Sequence, residues 1–361
     1  MSPTGYASGE ARALGTSNPE YVNARVRARR AALFDDEEYR KLVRMGPSEI
    51  ARYMEETEYE REINALGARY SGVDLIEYAL NRNLAKHFDD LLDWAEGELY
   101  ELIATYLRKF DAWNAKTVIR GIYSGAEPAD IEDDLIRAGE FDDRLLDRLV
   151  DAGTVEEAIE LLEGTMFGDA LTEAYAEYEE TTVLVPLENA IDLVFYERLL
   201  DGLRRGRQSE ATQLYVEFLE AEIDFRNARN VLRVAQSGAE IDPSAYFIEG
   251  GVLFTPTTLR GLAGSRDDLI SHIENSRYGD RLSTALEELH EAESLISFEH
   301  ALEAALLEYA DRLSYVNPVS VTSVLSYILA KEREVENIRA IARGREVGLD
   351  ENEIERELVI I

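Results

Sequence analysis

Apolar residues recur every three or four positions through most of the chain, the period of a helix with one buried face. The pattern predicts helices over Leu75–Leu92, Leu99–Ile122, Ala190–Leu203, Leu214–Val234, Leu282–Leu313 and Val321–Ala342. Convincing strand alternation is absent, so the expected fold class is all-α. Turn residues cluster at Arg44–Ser48, Ser124–Pro128, Glu249–Gly251, Pro256–Ser265 and Tyr315–Pro318. Asn317-Pro318 reads as an N-cap followed by proline at the first helical position. Asp350, with Glu353 three residues on, reads as a capping box for a last short helix.

Three signatures repeat along this helical pattern, which points to an internal repeat. The first is an acid, Asn at +3, a base at +5 and Arg at +9. It occurs as Asp111/Asn114/Lys116/Arg120, as Asp224/Asn227/Arg229/Arg233 and as Glu334/Asn337/Arg339/Arg343. A further copy, Glu20/Asn23/Arg25/Arg29, stands near the start. Glycine follows at +14 in three copies, as Gly125, Gly238 and Gly348. The second signature is apolar-Glu-x-Ala-apolar, centred on Glu77, Glu188 and Glu299, which are 111 residues apart both times. The third runs Met54–Tyr59, Leu162–Phe167 and Ile273–Tyr278. One register of about 110 residues therefore covers the chain. It divides into 1–110, with the N-terminal helix, then 111–223, 224–333 and a closing 334–361. Three like units suggest a pseudo-threefold arrangement, each with short helices followed by a long helical pair. Both a closed ring and an open superhelix satisfy the repeat.

On a helical wheel the acid of the first signature falls inside the apolar stripe, and the two bases fall on its far edge. Its neighbours in the first unit are Ala115, Val118 and Ile119. Glu77, Glu188 and Glu299 also sit among apolar neighbours: Leu80 and Leu84, Ile191 and Phe195, Leu302 and Leu306. A carboxylate there must be paired, protonated or lining a cavity. Two readings stand: an ion pair between Glu77, Glu188 or Glu299 and a base on a neighbouring helix, fixing the repeat geometry, or an acidic lining of a central cavity that grips a partner.

Charge changes the picture of partners. The 361 residues carry 38 Lys+Arg against 73 Asp+Glu, a net charge of −35. A surface this acidic disfavours nucleic-acid phosphates and direct adsorption to anionic lipid. If the protein works at a membrane, another protein must hold it there. The bases are lopsided: five are Lys (Lys41, Lys86, Lys109, Lys116, Lys331) and 33 are Arg. Many acids with few lysines suit a cytoplasm of very high salt, where self-repulsion is screened. Residues Met1 to Glu20 lack the apolar core of a signal peptide. The longest uncharged stretch, Leu313 to Ala330, is too rich in Ser, Thr and Asn to span a bilayer. The chain reads as soluble and intracellular.

Candidate chemistry is sparse. There is no cysteine, which removes disulfides, thiol catalysis and Cys-based metal sites. The four histidines (His87, His272, His290, His300) form no HExxH, and Glu287-x-x-His290 stands as a single such pair where a di-iron bundle wants two. No P-loop, nucleophile elbow or EF-hand spacing occurs. No cofactor, metal site or catalytic residue is expected.

The stretch Pro318-Val-Ser-Val-Thr-Ser-Val-Leu-Ser-Tyr-Ile-Leu-Ala-Lys331-Glu332-Arg-Glu334-Val-Glu-Asn337-Ile-Arg339 resembles the C-terminal signature of the C-type subunit of archaeal A-type and bacterial V-type ATP synthases, a family with a d-type counterpart in the vacuolar ATPase. Tyr21-Val-Asn23-Ala-Arg25-Val-Arg-Ala-Arg29 looks like the start of the same family. The match covers essentially the whole chain, and its acidic, Lys-poor character fits a haloarchaeal member. The resemblance implies a funnel of three similar helical units without catalytic residues. It implies a central-stalk role on the cytoplasmic face of the membrane. There the protein caps the proteolipid (c/K) ring, receives the D and F subunits of the central stalk, and passes torque between ring and head, one copy per complex and without lipid insertion. The residues of the three signatures are the candidate framework, and at least one of Glu77, Glu188 and Glu299 is expected to face the lumen. The rival reading is a helical-repeat scaffold that binds basic proteins.

Overall fold

The structure, a computed structural model, describes residues 16–205, 209–237, 243–279, 286–287, 290–291 and 295–359. In chain order its α-helices are α1 (Pro19–Arg30), α2 (Asp36–Leu42), α3 (Pro47–Met54), α4 (Glu60–Leu66), α5 (Gly72–Trp94), α6 (Gly97–Leu107), α7 (Lys109–Ser124), α8 (Pro128–Asp133) and α9 (Asp143–Val150). They continue as α10 (Val155–Leu162), α11 (Gly168–Thr181), α12 (Val185–Arg205), α13 (Glu210–Ser237), α14 (Pro256–Leu262), α15 (Arg266–Glu274), α16 (Leu295–Val316), α17 (Val321–Glu346) and α18 (Glu351–Glu355). There is no strand among the described residues, and the fold is all-α. No helix among them is long and apolar enough to cross a membrane.

The chain forms two compact units. Of the described residues, one holds those of 16–25 and 51–199; the other holds those of 26–50 and 200–359. In the first unit α7 is the central helix, with α6, α8, α9 and α10 against it. Phe88 of α5 stacks on Phe110 of α7, and Phe141 meets Phe167 edge to face. In the second unit α13, α16 and α17 pack on one another, and α2 packs on α17. Tyr278 sits between Phe225 and Tyr309, with ring centroids 5.4 Å away in both cases.

The long helices fall where the apolar period puts them, with three differences. The run predicted over Leu99–Ile122 is two helices, α6 and α7, broken at Arg108. No glycine or proline marks that break. It coincides with the Arg108–Glu140 ion pair at 2.9 Å, a contact made 32 residues downstream. The cluster Pro256–Ser265, expected to turn, contains α14, with Thr255 as its N-cap and Pro256 in its first turn. The N-cap of α17 is Ser320 and not Asn317: the Ser320 hydroxyl accepts from the Thr322 amide and donates to the Asn317 carbonyl, so 317–319 form the turn that precedes the helix. The Asp350–Glu353 capping box is present at α18, with both reciprocal bonds. Within the predicted helix Leu282–Leu313, residues 282–285, 288–289 and 292–294 lie outside the described residues, as does Gly238.

Candidate functional site

The repeated Asn makes the same pair of bonds in each of three copies. Asn114 Nδ2 donates to the Ile136 carbonyl at 2.8 Å, and its Oδ1 accepts from the Ile136 amide at 2.9 Å. Asn227 does the same to Ile248 at 2.8 and 2.9 Å. Asn337 does so to Val359 at 2.8 and 3.0 Å. A primary amide mimics a peptide edge, so one buried Asn satisfies both backbone groups of a residue that leaves the helical layer. That is why a polar side chain sits in the apolar stripe without the penalty of an unpaired buried amide.

The acid three residues earlier anchors the same loop further on. Asp111 accepts from the amides of Glu140 and Phe141 at 2.8 and 2.9 Å. Asp224 accepts from Val252 and Leu253 at 3.1 and 3.0 Å and from the Tyr278 hydroxyl at 2.8 Å. Glycine makes these approaches possible. A Cβ on Gly139 would overlap the Asp111 carboxylate, and one on Gly251 would overlap that of Asp224. Burial, the largest influence, pushes the Asp111 carboxyl up to about 7 against the lowering effect of its two amide donors. Burial raises Asp224 as well, opposed by its backbone and tyrosine donors. These buried acids are therefore paired, and their partners are backbone amides.

In the third copy the loop comes from the other end of the sequence. Glu334 Oε2 accepts from the Phe34 amide at 2.6 Å, and its Oε1 lies 2.7 Å from Lys331 Nζ. Phe34 stands directly before the α2 N-cap Asp35, as Phe141 stands before the α9 N-cap Asp142. Residues 34 onward thus supply to α17 what the chain downstream of α7 supplies to α7. The copy at the start differs: Glu20 is exposed, while Asn23 is buried and donates to the Pro19 carbonyl at 2.9 Å.

The third signature is likewise one set of bonds made three times. Thr57, Thr165 and Ser276 each donate a hydroxyl to the carbonyl three residues back, at 2.8, 2.7 and 2.6 Å. Each accepts from the amide two residues on: Tyr59, Phe167 and Tyr278. Those three aromatic side chains are completely buried.

Bases of the first signature meet acids on the helices that carry the second, in one case the signature Glu itself. Arg120 grips Glu188 through two bonds of 2.5 and 2.7 Å, and Lys116 Nζ lies 2.6 Å from Asp192, one turn further along α12. In the second unit the matching base Arg229 lies 3.5 Å from Glu303, one turn after Glu299, and Arg333 holds the same Glu303 at 2.8 Å. The side chain of Arg233 lies outside the described residues. Glu77, Glu188 and Glu299 are all half-buried. Arg29 and Arg339 are half-buried, Arg343 is exposed, and Arg25 lies over the rings of Tyr21 and Trp94 at 4.7 and 4.8 Å. Gly125 and Gly348, two of the +14 glycines, have φ of 73° and 81° and end α7 and the turn after α17. Gly139 and Gly251 follow their acids by 28 and 27 residues; Gly251 falls in the turn cluster Glu249–Gly251, but its approach to Asp224 has no mark in the sequence.

Among the described residues no three His, Asp or Glu side chains come together as metal ligands. His290 Nε2 lies 2.7 Å from Glu274. The arrangement is one of position and stiffness: buried side chains tie loops to helices at corresponding places.

Comparison with known proteins gives one answer. The family model for the ATP synthase (C/AC39) subunit matches residues 22–357. The chain is 70% identical over 347 residues to the C-type subunit of the A-type ATP synthase of Haloferax volcanii, covering 96% of this chain and 99% of that one. It is 67% identical over 348 residues to the protein of the same name from Halorubrum lacusprofundi, covering 96% and 99%. To that of Haloquadratum walsbyi it is 66% identical over 345 residues, covering 95% and 99%.

Proposed function

The chain belongs to the ATP synthase (C/AC39) subunit family, and from that membership we propose that it is the non-catalytic coupler of an A-type ATP synthase rotor. On this reading it joins the central stalk, made of the D and F subunits, to the proteolipid ring on the cytoplasmic face of the membrane. It passes torque between ring and head as an ion gradient drives ATP synthesis. It is held at the membrane by protein contacts alone, in one copy per complex, as a funnel of three like units.

The observation that carries the reading is the repeated clamp. A coupler must not twist under load, because a compliant one stores torque instead of passing it. Asn114, Asn227 and Asn337 each close two bonds from a helix to a loop more than 20 residues away. Asp111 and Asp224 close two more apiece. The Asn bonds are buried and the Asp bonds partly so, and slipping any one leaves polar groups unsatisfied, at about 1–3 kcal/mol each where burial is complete. The ion pairs Arg120–Glu188, Lys116–Asp192 and Arg333–Glu303 tie further helices together.

The test is co-purification. The tagged chain, expressed in its own host and extracted in mild detergent at high salt, is expected to bring the D and F subunits and the proteolipid in a complex that contains it once. Recovery of the chain alone, or with unrelated basic proteins, overturns the reading.

A further inference from the structure

In two copies of the clamp, one continuous loop serves both anchors. Asn114 holds Ile136 and Asp111 holds the amides of Glu140 and Phe141, all within the stretch 136–141. Asn227 holds Ile248 and Asp224 holds Val252 and Leu253, all within 248–253. In the third copy the two anchors hold different segments. Asn337 holds Val359, while Glu334 holds Phe34, from the other end of the sequence. What is one loop elsewhere is two pieces here, and lifting the piece that carries Phe34 leaves Asn337 bonded to Val359.

That piece, residues 26–50, packs in the second unit, while the described chain on either side of it belongs to the first. Part of its hold is apolar. Tyr39, Leu42 and Val43 are buried, α2 packs on α17, and the Tyr39 hydroxyl bonds to the Asn337 side chain. The rest is charge. Residues 26–34 carry Arg27, Arg29 and Arg30 and no acid, in a chain of net charge −35. Arg30 lies 2.7 Å from Asp311 and donates to the Ser326 hydroxyl at 2.5 Å, and Arg27 donates to the Pro318 carbonyl at 2.8 Å. The side chains of Arg30 and Asp311 are 35% and 28% exposed, so dissolved ions reach the pair and screen it. A segment that is not continuous with the loop it completes, and is held in part by screened charge, belongs among the parts of a fold that open locally.

We propose that residues 26–50 are a releasable strap, which lifts from α16 and α17 as one piece while the rest of the second unit stays folded, and that rising salt favours the lifted state. Salt thus acts on the strap in the opposite sense to its action on the whole chain, where it screens the repulsion among acids and favours folding. The third clamp is the place where this unit opens without unfolding, and Arg30 is the residue that makes its opening depend on salt.

The test is amide hydrogen exchange, read by mass spectrometry on the full chain across a potassium chloride series. Peptides over α2 are compared with those over α9 and α14, the helices that follow the same loop in the other two copies. The α2 amides are expected to exchange about tenfold faster than those of α9 and α14. Between the lowest salt at which the protein stays folded and about 3 M, α2 protection is expected to fall by about threefold or more while that of α9 and α14 rises. Arg30→Gln is expected to speed exchange in α2 by about threefold to tenfold at the low-salt end, to leave α9 and α14 unchanged, and to flatten the salt response of α2. Arg27→Gln, which gives up one bond to a backbone carbonyl, is the milder variant and is expected to move α2 in the same direction. Equal protection of the three helices at every salt overturns the proposal. So does α2 protection that rises with salt in step with the others. Exchange that quickens in all three helices of the Arg30 variant also overturns it, because the residue would then hold the fold as a whole and not the strap.

Discussion

The backbone amide of Phe34 donates to the side chain of Glu334, 300 residues away in sequence, and the same carboxylate lies 2.7 Å from a lysine, Lys331, that is 0% exposed. The carboxylate thus answers two donors at once, one from the N-terminal segment and one, fully buried, from its own helix. Asp111 and Asp224 answer backbone amides of the loops that follow them, so the third copy keeps the geometry but draws the donor from the start of the chain.

This pairing predicts an asymmetric mutational response. Lys331→Met leaves Glu334 buried without this cationic donor, and Glu334→Gln leaves Lys331 buried without this counter-charge. Each single change is expected to destabilise the protein by about 3–5 kcal/mol. The double variant Lys331→Met/Glu334→Gln removes both charges, and Gln still accepts from Phe34. It is expected to recover most of that loss, since a well-packed neutral replacement is often near-neutral in stability. Urea unfolding at high salt measures all three. Additive losses in the double variant would show that the two charges do not stabilise each other.

Glycine at 139 is predicted to be indispensable for a reason of space. A Cβ there meets the Asp111 carboxylate, which is fixed by two amides and cannot rotate away without losing them. Gly139→Ala is expected to cost about 3 kcal/mol or more, from overpacking together with buried donors left unpaired. Gly202 lies within α12 with nothing near its added Cβ. Gly202→Ala is expected to raise stability by about 0.5–1 kcal/mol through helix propensity and a stiffer unfolded chain. The two midpoints, read in one denaturant series, should move in opposite directions.

Much of this framework is legible in the sequence, and the limits have physical causes. The long helices show because their apolar stripes are long. The α18 capping box shows because both its partners lie within four residues. The register of Asn114, Asn227 and Asn337 shows as well. What these residues hold does not show, because the partners are backbone groups of Ile136, Ile248 and Val359, and a backbone amide carries no signature in a side-chain sequence. The break at Arg108 is hidden because the apolar period runs straight through it. Ser320 displaces Asn317 as the α17 cap because its hydroxyl both accepts from the Thr322 amide and closes the preceding turn onto the Asn317 carbonyl, an arrangement that the Asn-Pro pair does not announce.

Asp111 gives the protein a pH dependence of definite sign. Burial holds its carboxyl at about 7, above the usual carboxylate range, so between about pH 4 and 7 the folded state keeps a proton that the unfolded state releases. The corresponding stability is fully present below the unfolded value and is lost as pH rises towards 7. The slope from this one group is at most about 1.4 kcal/mol per pH unit, and it vanishes above 7. Asp111→Asn removes the titration and sets an amide donor against a backbone donor, so this variant is expected to be less stable at pH 8 but flatter between pH 5 and 7. Unfolding free energies at pH 5, 6, 7 and 8 for both proteins check this. An identical slope in the variant would place the titration elsewhere.

Salt is predicted to act in opposite directions on the whole chain and on its ion pairs. A net charge of −35 repels itself, and the repulsion is screened over about 3 Å at 1 M salt but about 10 Å at 0.1 M. Withdrawing potassium chloride from about 3 M towards 0.1 M is expected to lower the unfolding midpoint steadily. The Arg120–Glu188 pair is partly exposed, at 51% and 25%, so its attraction is screened by the same ions. A double-mutant cycle of Arg120→Ala and Glu188→Ala is expected to give a coupling of up to about 1 kcal/mol at the lowest salt where the protein stays folded, shrinking at about 3 M. If the coupling grew with salt, the pair would be held by packing and not by charge. If the midpoint did not fall on withdrawal, the acids would be offset locally by bases such as Arg30, Arg120 and Arg333, and the net charge would not govern stability. Both curves come from one set of unfolding experiments on four proteins, and together they separate what the acids do singly, as partners of these arginines, from what they do as a field.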